Sequence, residues 1–424
     1  MDLIKQETHE LGGLRVHMIP TEKYKTNTFV LRLKSPLCEE TVTERALLPY
    51  VLQSATETHP SVIRIRQYLE ELYGSSLAVD VSKKGEDHVI SIYIDIANET
   101  YLQEAPPLFE KALAMLADIL LRPATEGNGF LQTVVESEKR ALVQRIESTF
   151  DDKMRYANER LIEEMCKVEP YRLSANGQKE CVSKITNETL YQYYKKVLDE
   201  DEMDLYIIGD IEEGALDLVK RYFSVSKREP KERNVLLHKK NEEEQEVVEK
   251  QELKQSKLNI GYRTYITYRD EDYFVLQLFN GLFGGFSHSK LFVNVREKNS
   301  LAYYAASRYE SHKGLLFVMS GIEGENYEKA VTIIKEQMRA MQNGDFTDEE
   351  IVQTKSVIKN QVLETIDTPR GLVELLYHGV IANYDRPVEE WLTEIERVTK
   401  DEIVKVANNI QLDTIYFLHG TEGV

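Results

Sequence analysis

The sequence predicts an α+β protein built from two homologous α/β units, each an antiparallel sheet with helices packed on one face. The chain has 424 residues, which is too long for one ordinary hydrophobic core. In each half, segments with strand-like alternation are followed by long segments with helical periodicity. A helix–strand pattern that ends the first half also ends the second half, which indicates a duplication.

The first half supplies the clearest order of elements. Two strands come first, then two helices, two more strands, several long helices with apolar residues at 3–4 spacing, and a closing strand. The predicted segments, in order, are Arg15–Ile19, Thr28–Leu33, Glu44–Ala55, Val62–Leu72, Ser76–Val81, His88–Ile96, Leu102–Leu121, Gly129–Thr149, Asp152–Lys167, Leu190–Leu198 and Leu205–Gly209.

The duplication is most visible at the end of each half. Thr186 is expected to cap a helix that leads to an apolar strand ending near Gly209, and Thr399 a helix that leads to a strand ending near Gly420. Long helical segments in the middle of the halves, 133–148 and 348–365, also correspond. The repeat period is about half the chain, so two α/β units are expected rather than a solenoid.

The segment that connects the two units is a charged stretch from Lys227 to Gln255, which has few large apolar residues. It is expected to be an exposed linker that leads into a strand near Val247. We place the boundary near residue 235, which gives an N-terminal unit of 1–235 and a C-terminal unit of 236–424.

Composition narrows the class of protein. The chain is 42% hydrophobic and 29% charged, as is typical of a soluble globular protein, and has no apolar run long enough for a membrane span. Its net charge of −19 argues against nucleic-acid binding and favours a basic partner, or is simply a solvated acidic surface. The N-terminus lacks a secretion signal, and the three cysteines show no CxxC spacing, so a reduced, cytoplasmic protein is expected.

The most informative stretch runs from Gly281 to Tyr304, GLFGGFSHSKLFVNVREKNSLAYY. A glycine-rich turn is expected first, then a short helix capped by Ser287, then a strand from Leu301. Arg296 therefore falls in the last turn of a helix and Tyr303 just inside the strand. Their donors could reach an oxyanion or a peptide carbonyl. Spacing alone favours a structural role, because the helix dipole favours Arg at this position and a Tyr in a strand usually packs against its neighbours.

The pattern FGG followed by SxLFxxVREKxxLAYY resembles the C-terminal half of the pitrilysin and mitochondrial-processing-peptidase family of zinc peptidases. In that family an Arg and a Tyr with the spacing of Arg296 and Tyr303 form a substrate-facing pair. The resemblance implies that Gly281, Phe283, Gly284 and Gly285 also bind substrate, the glycines by allowing close approach of a peptide. It further implies two similar α/β units around a cleft.

The zinc motif of that family is degenerate here. Active members carry His-x-x-Glu-His on the first helix, because two His at i and i+4 share a helix face and bind one zinc, while the Glu polarises the metal-bound water. Leu47, Tyr50 and Val51 stand at those positions. Leu and Val cannot ligate a metal, and a phenol is a poor base near neutral pH. The edge-strand signature is also altered, with Leu77 where Asn is usual.

No alternative metal site is evident. No two of the nine histidines are three to five residues apart, and isolated residues such as His288 and His312 are expected to be surface or capping histidines. Glu136 or Glu138, on the helix from Gly129, corresponds to the family's third zinc ligand. Without a His pair beside it, a solvated carboxylate is expected.

The resemblance therefore implies a specific role. Some bacterial members of the family, like the mitochondrial enzyme, are heterodimers in which one subunit supplies the zinc helix and the other supplies the Arg/Tyr pair and the glycine-rich loop. This chain resembles the second kind: a non-catalytic, substrate-binding subunit, inactive alone. Zn²⁺ is expected in a partner that carries the zinc motif, and no cofactor in this chain.

Other functions compete with this one. A degenerate family member could be an inactive scaffold or a peptide-binding protein with no part in proteolysis, and the isolated chain could pair with a second copy of itself. An unrelated hydrolytic chemistry has no support, because the sequence lacks GxSxG and offers no Ser-His-Asp or Cys-His arrangement.

Overall fold

The computed structural model of the chain describes residues 4–103, 106–225 and 244–421. The elements up to the end of the first sheet and its last helix are β1 (Glu7–Leu11), β2 (Leu14–Pro20), β3 (Thr26–Pro36), α1 (Val42–Ser54), α2 (Val62–Glu71), β4 (Ser76–Lys84), β5 (Asp87–Ala97), α3 (Leu108–Leu121), β6 (Thr125–Glu126), β7 (Gly129–Phe130), α4 (Gln132–Asp151), α5 (Lys153–Met165), α6 (Lys179–Val182), α7 (Asn187–Glu200), β8 (Glu202–Gly209) and α8 (Ala215–Tyr222).

The remaining elements are β9 (Gln245–Glu252), β10 (Ser256–Arg263), α9 (Tyr273–Asn280), β11 (Ala302–Glu310), β12 (Leu315–Ile322), α10 (Tyr327–Gln342), α11 (Asp348–Thr365), α12 (Pro369–Ala382), α13 (Val388–Arg397), α14 (Lys400–Asn409) and β13 (Gln411–Thr421). Two short π-helical segments, Gly281–Gly285 and Phe292–Glu297, lie between α9 and β11. Among the residues described, no helix is both long and apolar enough to span a membrane.

The two main sheets have the same topology. The first has strand order β1-β2-β8-β3-β5-β4, in which β2 and β8 are parallel and the other pairs antiparallel. The second has order β11-β12-β10-β13-β9, in which β13 and β9 are parallel and the rest antiparallel. Apart from the extra strand β1, each strand of one sheet has a counterpart in the other. The predicted α+β class with two homologous units is confirmed.

The last helix of each unit begins as predicted. Thr186 caps α7 and Thr399 caps α14, each in a reciprocal capping box. In both boxes the threonine side chain accepts a hydrogen bond from the backbone N–H of the third helical residue. The side chain of that third residue accepts one in return from the backbone N–H of the threonine. The following strands, β8 and β13, occupy corresponding places in the two sheets.

Over the described part of the chain, one compact unit consists of Met1–Glu147, Leu173–Asn234 and Ile366–Leu375, and the other of Ser148–Arg172, Val235–Thr365 and Leu376–Val424. The predicted boundary near residue 235, and most of the predicted linker, lie outside the described residues, so this boundary stays a prediction. The strand expected near Val247 is present as β9. The sequence did not indicate that segments 148–172 and 366–375 group with the opposite half.

In the first unit, apolar side chains on one sheet face pack against α1, α3 and α7 to form the main core, which includes Phe29, Leu31, Ile92 and Leu205. This is the helix-on-one-face layering that strand alternation predicted. The segment 366–375 is held in the same unit by ion pairs. Glu374 accepts from Arg32 of β3 and from Lys84 of β4.

In the second unit, α5 packs on β10 and β13 through a separate apolar cluster that includes Leu161, Met165, Phe317 and Tyr416. The residues after α5 are anchored by buried charge. Glu169 binds Arg263 Nη2 at 2.7 Å and Lys313 Nζ at 2.6 Å, and all three side chains are buried. Each segment that crosses to the opposite unit is therefore held there by an ion-paired glutamate.

Candidate functional site

The stretch expected to begin with a glycine-rich turn is helical instead. Helix α9 continues directly into the π-helical segment Gly281–Gly285. A Cβ on Gly284 would lie 2.6 Å from Ser307 Oγ and 2.8 Å from its backbone N, and one on Gly281 would lie 2.6 Å from the methyl group of Thr354. These two glycines are buried, and their small size lets the helix approach β11 and α11. Packing within the chain explains why these two positions are glycine, and no bound peptide is needed to explain it.

Two other residues of this segment differ in their exposure. Phe283 is fully buried, stacks on Phe279 at 5.5 Å between ring centroids and meets Tyr262 edge-on. The side chain of Phe283 has no accessible surface and packs in the core, so packing explains this residue, and its contact with substrate stays a prediction. Gly285 is exposed, and it alone of the three glycines offers its backbone to a ligand.

The short helix that follows begins later than predicted. The backbone is helical from Lys290, and Ser289, rather than Ser287, accepts a hydrogen bond from the N–H of Phe292 at 3.4 Å. Its last turn is the π-helical segment Phe292–Glu297. Wider π turns recur at functional sites and change the direction in which side chains leave a helix.

Arg296 lies in that last turn, as predicted, and its side chain is exposed. Its guanidinium carbon lies 4.7 Å from the centroid of the Phe292 ring, a cation–π contact that orients the side chain. Among residues 4–103, 106–225 and 244–421, no carboxylate lies within ion-pairing distance of it. Arg296 therefore presents a planar donor that is held in place and unneutralised.

Tyr303 lies in β11, as predicted, with 77% of its surface exposed. Within the described residues, β11 is an edge strand that pairs only with β12. Ala302 pairs with Ile322 and Ala305 with Ser320, so Tyr303 and Tyr304 together stand opposite Gly321. This extra residue is a β-bulge, a device that redirects side chains at sheet edges and beside active sites. Nothing in the local sequence predicted this bulge.

The connection between Arg296 and Tyr303 is tightly fixed. The N–H of Leu301 donates to the carbonyl of Val295 at 3.1 Å, and Lys298 N–H to Val293 at 2.9 Å. The helix end and the strand start are thus joined by backbone hydrogen bonds, so the two side chains are carried on one rigid corner.

The degenerate zinc positions lie on α1, as predicted. Leu47 and Val51 are 0% and 2% exposed and belong to the main core of the first unit. Tyr50 is half-buried, and the guanidinium carbon of Arg145 lies 3.5 Å from its ring centroid. Burial raises the pKa of Tyr50, and Arg145 opposes that rise only in part. Two apolar core residues and a protonated phenol do not fit a zinc ion.

The two glutamates considered as third ligand have other partners. Glu138 accepts a hydrogen bond from Ser54 Oγ at 3.1 Å, and Glu136 pairs with Lys139 at 3.0 Å. Among the described residues, no group of three or more His, Cys, Asp and Glu side chains could hold a metal ion. Leu77, the altered signature residue, lies in the edge strand β4.

One histidine contact was missed in the sequence. His312, expected to be isolated, stacks on His378 with ring centroids 5.0 Å apart, and a ring nitrogen of each lies 2.7 Å from the other. The two residues come from distant elements, so their spacing gives no signal. His288 contacts Thr354 Oγ1 through Nε2 at 2.8 Å, and because Thr354 lies inside α11, this is a side-chain contact and not a helix cap.

Over the described residues, the chain thus combines a duplicated α/β fold and an exposed Arg/Tyr pair with predicted zinc positions, Leu47, Tyr50 and Val51, that offer no metal ligands. The family model described as "Peptidase M16 inactive domain" matches residues 184–358. The probable inactive metalloprotease YmfF of Bacillus subtilis (strain 168) is 51% identical over 429 residues, with 100% of both chains covered. The chain belongs to the M16 peptidase family, as an inactive metalloprotease-like member.

More distant similarities agree with this assignment. The subtilosin biosynthesis protein AlbE of Bacillus subtilis (strain 168) is 23% identical over 79% of this chain and 89% of its own length. Among solved structures, a conserved protein from Enterococcus faecalis V583 superposes with a TM-score of 0.92 at 34% identity, covering 99% of each chain. A protease from Helicobacter pylori superposes with a TM-score of 0.82 at 15% identity, covering 98% of this chain and 100% of its own, and shares the fold.

Proposed function

We propose that this protein is the non-catalytic, substrate-binding subunit of a zinc-dependent peptidase, and that it supplies Arg296 and Tyr303 to the zinc site of a partner. The observation that carries the proposal is the contrast between two places in the chain. Leu47 and Val51, at two of the three predicted zinc positions on α1, are core residues, whereas Arg296 and Tyr303 remain exposed on a corner joined by backbone hydrogen bonds. A protein with no part in proteolysis would have no need to keep the donor side chains of both Arg296 and Tyr303 exposed.

The chemistry assigned to this chain is binding and charge stabilisation. A peptide lies extended along the free edge of β11 and adds to the sheet through main-chain hydrogen bonds. The Tyr303 hydroxyl and the Arg296 guanidinium donate to the scissile carbonyl oxygen as it gains charge. The partner's zinc supplies the activated water.

The partner is a homologue that carries the His-x-x-Glu-His motif. A relative of this chain, 22% identical over 56% of each sequence, is described as an uncharacterised zinc protease, YmxG of Bacillus subtilis (strain 168), and a protein of that kind has the required chemistry. The proposal includes a cytoplasmic location for the complex, which the three free cysteines without disulfide spacing support.

The experiment measures zinc content and peptidase activity of the purified chain, first alone and then mixed with the zinc-motif homologue from the same genome. We expect no bound zinc and no EDTA-sensitive cleavage from the chain alone. The mixture should cleave peptides faster than the homologue does by itself. Stoichiometric zinc together with cleavage by the chain alone would overturn the proposal.

A second candidate is a peptide-binding or scaffold protein without a role in cleavage. The burial of Gly281, Phe283 and Gly284 favours it, since packing alone explains three residues of the predicted substrate loop. Peptide binding that no zinc-motif homologue converts into cleavage would select this candidate.

A further inference from the structure

The edge formed by β11 and the helix end before it is basic, on a chain whose net charge is −19. Arg296 and Lys298 are exposed at the helix end, and Arg308 is exposed near the end of the strand. Over the described part of the chain, none of the three has a carboxylate within ion-pairing distance. Unneutralised cations grouped on one edge of an acidic protein form a field that attracts negative charge.

The acidic groups closest along the chain do not cancel this charge. Glu297 is exposed between Arg296 and Lys298 and is the one carboxylate of that turn. Glu310 ends the strand, where its Oε1 accepts from the backbone N–H of His312 at 3.1 Å and its negative charge is retained. Three cations therefore face two carboxylates, and the edge keeps a net positive charge.

The position of Arg308 on the strand sets a distance. Its guanidinium carbon lies 5.6 Å from the centroid of the Phe317 ring on the neighbouring strand, so the side chain is oriented across one sheet face. Arg308 follows Tyr303 by five residues. The bulge places two residues of β11 opposite one residue of β12, where Gly321 faces Tyr303 and Phe317 faces Arg308. A strand paired with the free edge of β11 therefore places one of its side chains opposite Arg308 at about four to five residues from the one opposite Tyr303.

We propose that the free edge of β11 selects an acidic peptide, in which a Glu or Asp about four to five residues from the bond facing Tyr303 pairs with Arg308. The proposal rests on the proposed function, because it takes the same edge as the peptide site. Sequence composition had favoured basic peptides through the overall negative charge, but the local charge of this edge has the opposite sign.

Basic residues on an edge strand also have a simpler explanation, since charge there prevents edge-to-edge aggregation. The two explanations differ in one respect. Protection against aggregation requires only charge, whereas peptide selection requires a preference for one sign at one position.

The test uses the purified full chain and labelled eleven-residue peptides built from Ser, Thr and Val, with one Glu, Gln or Lys moved along the sequence. Binding is followed by fluorescence anisotropy at low salt. We expect the Glu peptide to bind about tenfold more tightly than the Lys peptide at one position, with a smaller preference at high salt. Arg308→Gln should remove the preference, and Arg308→Glu should reverse it toward Lys. Arg66→Gln, at an exposed arginine of α2, is the matched control and should change nothing.

The outcomes separate the two proposals. Peptides that bind equally well with Glu, Gln and Lys would overturn the acidic selection and leave the proposed function standing. A Glu preference without any stimulation of the partner's cleavage would support the selection and overturn the catalytic role. A chain that binds none of the peptides would overturn both.

Discussion

The guanidinium carbon of Arg145 on α4 lies over the ring of Tyr50 on α1, 3.5 Å from its centroid. The sequence resemblance predicts that Tyr50 stands where catalytic members of the family carry the glutamate that activates water. The predicted place of an acid–base group is therefore filled by a cation–π contact that ties two helices together. By that alignment, the first unit has converted this part of a catalytic site into packing.

A double-mutant cycle tests this conversion. Tyr50→Ala and Arg145→Ala should each lower the free energy of unfolding, and their coupling should be about 1 kcal/mol, because the contact is half-buried. Urea unfolding of the four proteins measures it. The pair Tyr50→Ala and Arg140→Ala, with Arg140 exposed on the same helix, should show additive effects. Zero coupling between Tyr50 and Arg145 would mean that their contact contributes nothing.

Sequence patterns within a few residues of each position predicted the helices and strands well. The capping threonines Thr186 and Thr399, and the helix–strand placement of Arg296 and Tyr303, depend on nearby residues and are confirmed. Features that join distant parts of the chain gave no local signal. The bulge at Tyr303 depends on the register with β12, and the anchoring of Glu169 by Arg263 depends on which unit receives the segment after α5.

The glycines of the predicted substrate loop can be separated by substitution. Gly284→Ala should destabilise the protein by about 1–3 kcal/mol, because the new Cβ would meet the backbone of Ser307 and the side chain of Leu291. Gly285→Ala should cost less, since Gly285 is exposed and its tightest contact is with the side chain of Asn280. Thermal unfolding of both variants gives the comparison. Equal stability of Gly284→Ala and the wild type would show that this glycine is not required for packing.

The buried cluster around Glu169 predicts how stability depends on pH. Burial acts to raise the pKa of Glu169, but hydrogen bonds from Lys313 and Arg263 outweigh it, and the pKa lies below its ordinary value. A carboxylate with a lowered folded-state pKa stabilises the protein above its unfolded-state pKa of about 4.3 and loses that contribution as pH falls through the folded-state value. Stability should therefore decline below about pH 4.3.

Glu169→Gln checks the assignment of this decline. It should lower the free energy of unfolding at pH 7 by about 3 kcal/mol, since two buried cations lose their shared partner. The substitution should also make the loss of stability at acid pH shallower, because it removes one carboxylate whose pKa is lowered in the folded state. Glu163→Gln, at a more exposed glutamate of α5, is the control. Urea titrations between pH 3 and 7 provide both quantities. An unchanged pH profile in Glu169→Gln would assign the decline to other carboxylates.

Tyr303→Phe removes one hydroxyl from the exposed corner and leaves the bulge and the strand in place. If this hydroxyl stabilises the developing oxyanion, the rate of peptide cleavage by the complex with the zinc-motif partner should fall by a factor of about 10²–10³. Assembly with the partner should be unaffected, because the ring remains. Steady-state cleavage and size-exclusion chromatography of the same mixtures measure the two effects. Tyr101→Phe, at another exposed tyrosine, should cleave at the wild-type rate. Wild-type activity in Tyr303→Phe would remove the hydroxyl from the reaction and leave Arg296 as the candidate donor in this chain.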